Sequence, residues 1–409
     1  CLHSSKGDGV LIQQTLISVQ NKIISVYLWR EFMRIFAHLF PLKISIVNSQ
    51  LSKMKNIRLV IFSLFVAFSA NAQQKLGMKN ADIRDVAVLV NDYFMKKNPD
   101  PTQPTFVKRQ RPSNLWTRAV YYEGLMALYE IYPKQEYWDY AYQWADYHKW
   151  QPRNGNTTHH ADDQCCLQTY IDMYRIAGEP KMLQGALTNL NMMCAYPGNE
   201  DWWWIDAIQM AMPVYSKLYA VTKEQKYLDK AWALYSYTRN TLGERGMFNE
   251  KDGLWWRDAD FDGDYKEPNG KNCYWSRGNG WVIAALARVL TDLPKTDAHY
   301  NDYATDLRAM AKALKVCQRE DGFWNCSLYD PSNYGGKETS GTALFVYAIA
   351  AGIRLGILSR SDYYPMIEKA WRAIAKDAIH NDGFIGYVQG TGKQPSDGQP
   401  TTYDSHPDF

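Results

Sequence analysis

Apolar residues recur three and four positions apart through most of the chain after residue 80, the spacing that gives an α-helix one buried face. Loops rich in Gly, Asp, Asn and Pro separate these segments, and few stretches alternate as a half-buried strand would. The pattern therefore predicts an all-α protein. We expect eleven helices, at residues 82–97, 117–132, 135–149, 163–177, 181–193, 205–222, 225–241, 279–293, 298–318, 339–356 and 360–378.

A short motif recurs at the ends of successive helix pairs: Asp-Gly followed by large apolar residues, at 252–255, 321–324 and 382–385. Repeated helix pairs build either an open solenoid or a closed ring. Because the pair spacing varies and the loops are long and aromatic, a closed ring is the better fit. Eleven helices leave a ring of six hairpins one helix short. We therefore expect the sequence to be truncated at its C-terminus, where the loop-like residues 402–409 stand in place of the last helix.

The beginning of the chain predicts a leader. Lys55 and Arg58 precede an apolar run at 59–68, and the small residues at 70–72 follow as a cleavage site. This is the order of a secretory signal peptide, with an apolar part too short for a stable membrane span. We therefore expect an upstream mis-extension without a stable fold at 1–53, a signal peptide at 54–72 and a single catalytic domain at 73–409.

The competing interpretation of the leader is a membrane anchor built from both of its stretches. The cleavage site favours export instead. We expect a periplasmic or secreted protein with no stable membrane anchor after signal cleavage.

Composition narrows the choice of ligand. Eight of the 46 Lys and Arg and two of the 43 Asp and Glu lie in residues 1–72, so 73–409 has a net charge of −3 and offers no basic tract to nucleic acid. The 15 Trp and 29 Tyr either form an aromatic core or line a large cleft. No phosphate loop and no metal-ligand spacing is present, so we expect no cofactor, no metal and buried free thiols.

The segment Tyr274–Trp281 carries the most specific chemistry, because it places Arg277 between Trp275 and Trp281 beside two glycines at a helix start. Indole faces cover the apolar face of a sugar, and a guanidinium forks onto a carboxylate. Glycines let the backbone approach a ligand at a helix N-terminus. The alternative is a helix-entry loop whose tryptophans belong to the core.

Two acidic segments also stand at predicted helix starts. Asp206 follows the three tryptophans at 202–204, and apolar walls raise a carboxyl pKa toward the range of a general acid. The alternative is an N-cap aspartate. Asp162 and Asp163 follow two adjacent histidines, and we expect one aspartate to cap the helix and the other to face the cleft. Without a spaced third ligand, these residues do not predict a metal site.

Together these motifs resemble glycoside hydrolase family 105, the unsaturated rhamnogalacturonyl hydrolases, which are related to the family 88 unsaturated glucuronyl hydrolases. The match runs in order from about residue 81 to the end. It rests on Trp116, Asp162-Asp163, Trp204-Ile205-Asp206, Trp255-Trp256-Arg257-Asp258, 266–270, 274–281 and 338–343.

The resemblance implies an (α/α)6 barrel, a six-hairpin toroid, that degrades oligosaccharides left by polysaccharide lyases, with rhamnogalacturonan from pectin as the expected source. Such an enzyme removes a 4,5-unsaturated uronic acid from the non-reducing end. In that family an aspartate protonates C4 of the enol ether, water adds at C5, and the resulting hemiketal collapses.

The resemblance also implies a role for each matching residue. Asp206 would be the general acid and base, and Asp163, or else Asp162, the second aspartate. The substrate-binding residues would be Trp116, Asp162, Trp256, Arg257, Trp275, Arg277 and Trp281. Some relatives have a histidine where this chain has Arg257, which leaves the fine specificity open. Two alternatives remain: a non-catalytic carbohydrate-binding protein and an α/α-barrel glycosidase acting on saturated sugars.

Overall fold

Helices dominate the protein, as the apolar spacing predicts. The computed structural model describes residues 80–107 and 109–405, so the predicted signal peptide at 54–72 and the upstream residues 1–53 lie outside the described part. The helices are α1 Asn80–Lys97, α2 Trp116–Ile131, α3 Gln135–Tyr147, α4 Ala161–Gln164, α5 Leu167–Ala177, α6 Lys181–Ala195, α7 Asp206–Thr222, α8 Lys226–Asn240, α9 Ser276–Asp292, α10 Tyr300–Cys317, α11 Thr339–Arg354 and α12 Arg360–Ala373. Two short antiparallel hairpins pair β1 Thr105–Val107 with β2 Arg109–Arg111, and β3 Phe248–Asn249 with β4 Leu254–Trp255.

The helices alternate between an inner and an outer layer. Inner helix α9 is buried almost all round, whereas the following helix, α10, buries mainly one face. The inner helices α2, α5, α7, α9 and α11 contact one another in that order, and each packs against the outer helix that follows it. This arrangement is the (α/α)6 toroid predicted from the sequence. The expected C-terminal truncation is not tested by the described residues and stays a prediction.

The recurring Asp-Gly motif forms equivalent contacts around the ring. Its glycines have φ values of 69°, 96° and 97°, in the left-handed region that favours glycine. Each lies so close to an outer helix that a Cβ atom would strike a backbone carbonyl. The contacts join Gly253 to Ala309 of α10, Gly322 to Lys369 of α12, and Gly383 to Leu89 of α1. The third contact shows that α1 takes an outer position, the one after α12.

Helix α9 begins at Ser276, three residues before its predicted start. A Cβ at Gly278 would lie 2.8 Å from the Trp275 ring, and one at Gly280 would lie 2.9 Å from Leu344 of α11. The two glycines therefore serve close packing between inner elements, and the expectation that they admit a ligand to the backbone is wrong.

Several expected absences concern the described residues alone. Within 80–107 and 109–405, no helix combines the length and apolarity needed to cross a bilayer. The six cysteines of this part of the chain are unpaired, and Cys165, Cys166, Cys273 and Cys326 are buried. No group of His, Cys, Asp and Glu in the same ranges could hold a metal ion.

Candidate active site

A cavity of about 1310 Å³ lies between α1, α2, α11 and α12, with a largely apolar lining. Its buried carboxylate, Glu123, is already paired. Arg288 Nη2 lies 3.0 Å from Glu123 Oε2, and Gln209 Nε2 donates to the same oxygen at 3.1 Å. The Glu123 carboxylate is therefore held by protein partners and is a poor candidate for chemistry.

A second cavity, of about 300 Å³, gathers acids, cations and indoles, and we call it the pocket. Three inner elements begin beside it: Trp116 opens α2, Asp162 lies in the first turn of α4, and Asp206 opens α7. The toroid therefore brings together residues that are far apart in sequence. The pocket is lined by Arg111, Trp116, Asp162, Trp204, Asp206, Met210, Arg257, Thr391, Gly392, Lys393 and Asp397.

Asp206 presents to the pocket a carboxyl oxygen that has no hydrogen bond from any described residue. The N-cap residue of α7 is Ile205, so the alternative of Asp206 as an N-cap is not observed. Asp206 Oδ2 is buried and has no hydrogen-bond partner among the described residues. Burial raises the pKa of Asp206, and the charges of Arg257 and Arg277 offset part of that rise. A raised pKa and an oxygen without a hydrogen bond are properties that a general acid requires.

Asp162 is the second carboxyl of the pocket. Burial, followed by the charges of Asp206 and Asp163, raises the pKa of Asp162 to about 7. Its backbone N–H donates to His160 Nδ1 at 3.3 Å, so His160 caps α4. The expectation that an aspartate caps this helix is therefore wrong.

Asp163 points away from the pocket and holds a loop. Its side chain is 3% exposed. Arg153 Nη1 donates to Oδ1 at 2.8 Å, while Asn154 Nδ2 and Thr158 Oγ1 donate to Oδ2 at 3.0 and 2.8 Å. The sequence placed Asp163 first as the second site aspartate, but its carboxylate is committed to these bonds. The structure presents Asp162 to the pocket instead.

Indoles form part of the pocket wall. Trp116 and Trp204 line it, and Trp281 meets Trp116 edge to face at a centroid distance of 6.5 Å. Trp256 is not part of the lining: it is buried, with its ring 6.2 Å from that of Tyr274. The structure thus brings two of the predicted tryptophans to the pocket wall or its immediate support, and it leaves Trp256 in the core.

Arg257 enters the pocket from the residues after β4. Asn279 fixes that strand, because its side chain accepts from Trp255 N at 2.8 Å and donates to Trp255 O at 3.0 Å. Arg257 O accepts from Ile205 N at 3.0 Å, which ties this segment to the start of α7. The guanidinium also pairs with Asp258. Arg257 is thereby held beside Asp206.

Arg277 and Trp275 lie behind the pocket and anchor a loop beside it. Arg277 donates to the carbonyl oxygens of Gln389 and Gly390 at 2.6 and 2.8 Å. Trp275 Nε1 donates to Gln389 Oε1 at 2.8 Å. Neither residue is part of the pocket lining. The segment 389–398, called the pocket loop below, is therefore fixed by the motif that the sequence assigned to the uronate.

Sequence reasoning missed the pocket residues outside the family motifs. Arg111 lies in a hairpin, and Thr391, Lys393 and Asp397 lie in the pocket loop. Two signals could have found them: the basic pair in Arg109-Gln110-Arg111 shortly before Trp116, and the glycine-flanked Thr391 followed by a lysine. Only the fold shows that these two segments meet.

The fold and the pocket are those of a carbohydrate-active enzyme: a helical toroid whose pocket places two carboxyls of raised pKa beside indoles that can stack on a sugar. The sequence profile of Glycosyl Hydrolase Family 88 matches residues 86–409. The chain therefore belongs to glycosyl hydrolase family 88, the family that the resemblance named beside family 105. It is a glycoside hydrolase, and this family acts on oligosaccharides of unsaturated uronic acids.

Three similar proteins show which members of the family and which solved structures the chain resembles. It is 30% identical over 381 residues to an unsaturated 3S-rhamnoglycuronyl hydrolase from Formosa agariphila, covering 87% of this chain and 96% of the relative. A solved family 88 glycosyl hydrolase from Bacteroides vulgatus is 32% identical with a TM-score of 0.73, covering 80% of this chain and 94% of its own. A solved protein described as a polysaccharide lyase is 33% identical with a TM-score of 0.73, covering 80% and 93%.

Proposed function

We propose that this protein removes a 4,5-unsaturated uronic acid joined to rhamnose at the non-reducing end of lyase-generated oligosaccharides. The name of the Formosa agariphila relative combines an unsaturated uronyl group with rhamnose, which supports this choice. The observation that carries the proposal is the Asp206 carboxyl: its Oδ2 is buried and accepts no hydrogen bond among the described residues, and its pKa is raised in a pocket walled by indoles.

Asp206 carries both proton transfers of the proposed mechanism. Asp206, protonated, delivers its proton to C4 of the enol ether, and the positive charge that develops at C5 is shared with the ring oxygen. Water adds at C5 and gives up a proton to Asp206, which restores the acid. The hemiketal then opens at the bond between C5 and the ring oxygen, which leaves a ketone at C5 and a hemiacetal at C1. Collapse of that hemiacetal breaks the bond from C1 to the rhamnose oxygen, which takes up a proton as the rhamnose leaves. Asp162 lies beside this centre, where burial and the charge of Asp206 favour its own protonated state.

The remaining pocket groups hold the substrate. Arg257 is the cation nearest to Asp206, and we assign it to the uronate carboxylate. Trp116 and Trp204 cover the apolar face of the unsaturated ring. Arg277 keeps a positive field at Asp206 while it anchors the pocket loop.

The test follows the absorbance of the enol ether. Mature protein incubated with an unsaturated uronyl-rhamnose disaccharide should abolish the signal, and Asp206→Asn should bind the disaccharide but lose about 100-fold to 10,000-fold in turnover. Asp264→Asn, which changes an exposed carboxylate with a 92% exposed side chain, is the matched control. A persistent signal with several unsaturated uronides would contradict the proposal.

A second candidate function is lyase activity, favoured by the 33% identity to the protein described as a polysaccharide lyase. Elimination creates an enol ether, whereas the hydrolase consumes one, so the two activities change the absorbance in opposite directions. A rising signal on a saturated rhamnose–glucuronate polymer would assign the lyase reaction. A falling signal on the unsaturated disaccharide assigns the hydrolase.

We also propose that the protein is exported, on the strength of the cationic, apolar and small-residue segments between Met54 and Ala72. Expression of the full chain in a Gram-negative host should give a periplasmic product whose N-terminus is Gln73. A cytoplasmic product that still carries residues 54–72 would contradict export.

A further inference from the structure

Three backbone N–H groups at the start of α4 donate to one residue, His160. The N–H groups of Asp163 and Gln164 donate to the His160 carbonyl oxygen at 3.0 and 3.3 Å. The N–H of Asp162 donates instead to the side chain, at His160 Nδ1. Because α4 is only four residues long, these bonds set the direction in which the Asp162 side chain leaves the helix.

A histidine can cap a helix in this way only while it is neutral. An imidazole nitrogen accepts a hydrogen bond when it carries no proton, so the proton of neutral His160 must lie on Nε2. The usual N-cap side chains, those of serine, threonine, asparagine and aspartate, keep their acceptor oxygen near neutral pH. The cap that His160 forms is therefore one that a single proton removes.

The His160 ring also lies against the wall of the pocket. Its centroid is 4.9 Å from that of Trp204, which lines the pocket together with Asp162. His160 itself is not part of the lining. It therefore supports two pocket groups from behind, the indole of Trp204 and the carboxyl of Asp162.

The charged groups around His160 favour its neutral form. Asp162 Oδ2 lies 3.9 Å from His160 Nδ1, while the carboxylate of Asp163 is held by Arg153 from the preceding loop. Burial lowers the pKa of His160, the charge of Asp163 offsets part of that effect, and the charge of Arg153 adds to it. The form of His160 that caps α4 is thus the one that its surroundings stabilise.

The adjacent histidine faces a different partner. His159 Nδ1 lies 3.2 Å from Oδ1 of Asp201, a residue of the segment before α7. The His159 ring meets Tyr196 edge to face at a centroid distance of 4.7 Å. His159 therefore engages the carboxylate of that segment, and the two neighbouring histidines have different surroundings.

A proton on His160 Nδ1 would change the position of Asp162. The new N–H would point at the backbone N–H of Asp162, which places two donors together without an acceptor. Asp162 Oδ2, 3.9 Å from the same nitrogen, then becomes the acceptor within reach. A shift toward the imidazolium would draw the Asp162 carboxyl out of the pocket.

We propose that His160 is a positioning residue for the reaction: neutral, it holds the Asp162 carboxyl in the pocket, and protonated, it withdraws that carboxyl. This inference rests on the proposed function and adds a residue that the pocket lining does not include. Since Asp206 acts as an acid, its own ionisation limits the rate on the alkaline side only. Loss of kcat on the acid side should follow His160 and lie below pH 6.5, because the pKa of His160 is lowered from that value.

The kinetic experiment measures kcat and KM for the unsaturated uronyl-rhamnose disaccharide from about pH 4 to about pH 9, which brackets the titration of histidine. His160→Ala removes the acceptor and should lower kcat about 3-fold to 10-fold at neutral pH, with a smaller effect on KM. His160→Asn supplies an acceptor that does not titrate, so it should recover most of kcat and remove the acid limb. His159→Asn is the matched control and should keep the acid limb.

Nitrogen NMR of the imidazole rings tests the cap without any substrate. At neutral pH, His160 should carry its proton on Nε2 and none on Nδ1. The amide signal of Asp162 should shift as pH falls through the acid limb, and His160→Asn should abolish that shift. His159→Asn should leave it in place.

The outcomes separate the positioning role from the proposed function. An acid limb that survives in His160→Asn, or a proton on Nδ1 at neutral pH, would overturn the role of His160 while the hydrolase stands. Equal losses of kcat in His160→Ala and His160→Asn would overturn it too, because a restored cap should restore the rate. A wild-type protein that cleaves no unsaturated uronide would overturn the proposed function itself, whatever the state of the cap.

Discussion

Arg257 Nε lies 3.3 Å from Asp206 Oδ2, yet neither atom has a hydrogen bond within the described residues. The guanidinium therefore stabilises the ionised carboxyl through its charge, without a hydrogen bond to Oδ2. This relationship keeps the Asp206 pKa from rising as far as burial alone would take it.

Arg257→Gln tests that balance. Loss of the cation should raise the Asp206 pKa further, so the alkaline limit of kcat/KM should move to higher pH. At the same time KM should rise about 10-fold or more, because the uronate loses its partner. A pH profile whose alkaline limb stays in place would contradict the electrostatic role. Arg257→Lys should keep the alkaline limit close to that of the wild type, because the ammonium retains the charge. Its KM should still be raised, because lysine cannot donate to the carboxylate through two parallel N–H groups.

Asp162 should make the stability of the folded protein depend on pH between about 4 and about 7. Its pKa rises from 3.8 to about 7 on folding, so the folded protein keeps a proton that the unfolded chain has lost. The free energy of unfolding should therefore fall as pH rises from about 4 to about 7. Asp162→Asn should remove that part of the slope, as thermal unfolding across this pH range can measure. An unchanged slope in the variant would assign it to other groups.

Substitution of the two neighbouring aspartates should have different effects, one on stability and the other on turnover. Asp163→Asn weakens a buried, charge-assisted set of bonds to Arg153, Asn154 and Thr158, and should lower stability by about 2 to 3 kcal/mol. Asp162→Asn should leave the fold intact and lower kcat. Denaturant unfolding and kinetics on the same pair of variants measure both effects. If Asp163→Asn is as stable as the wild type and loses only turnover, Asp163 and not Asp162 is the second acid.

Arg277→Lys should disturb the pocket loop. A lysine keeps the charge but cannot donate to the carbonyls of Gln389 and Gly390 in the same fork. We expect faster amide exchange across 389–398 and a higher KM for the free uronide and its methyl ester alike. If KM rises for the free uronide only, and amide exchange across 389–398 is unchanged, Arg277 contacts the uronate directly.

The sequence predicts the helices well because burial of one face leaves a strong periodic signal. The start of α9 is the instructive miss. Gly278 and Gly280 resemble a turn, but Trp275 and Leu344 approach so closely that glycine is needed inside the helix. Local preference gives way there to contacts between elements, which the local pattern does not contain.

The candidate site is likewise predictable only in part from the sequence. Asp206 is predictable from its apolar neighbours in sequence. The choice between Asp162 and Asp163 depends on Arg153, Asn154 and Thr158, whose side chains converge only after the preceding loop has folded. The pocket loop is further from prediction still, because Arg277 reaches it across more than a hundred residues.

The contact between Gly383 and Leu89 joins the first described helix to the last described loops, and the Tyr93 and Phe384 rings meet there at 5.9 Å. Bringing together two segments so far apart in the chain costs conformational entropy. The contacts that offset this cost form only when the whole ring of helices has formed. The pocket loop begins a few residues after this seam, so whatever immobilises the loop also tightens the seam. Bound substrate should therefore slow amide exchange in α1, although this helix contributes no side chain to the pocket lining. Exchange in α1 would then measure the occupancy of a site that the helix does not touch.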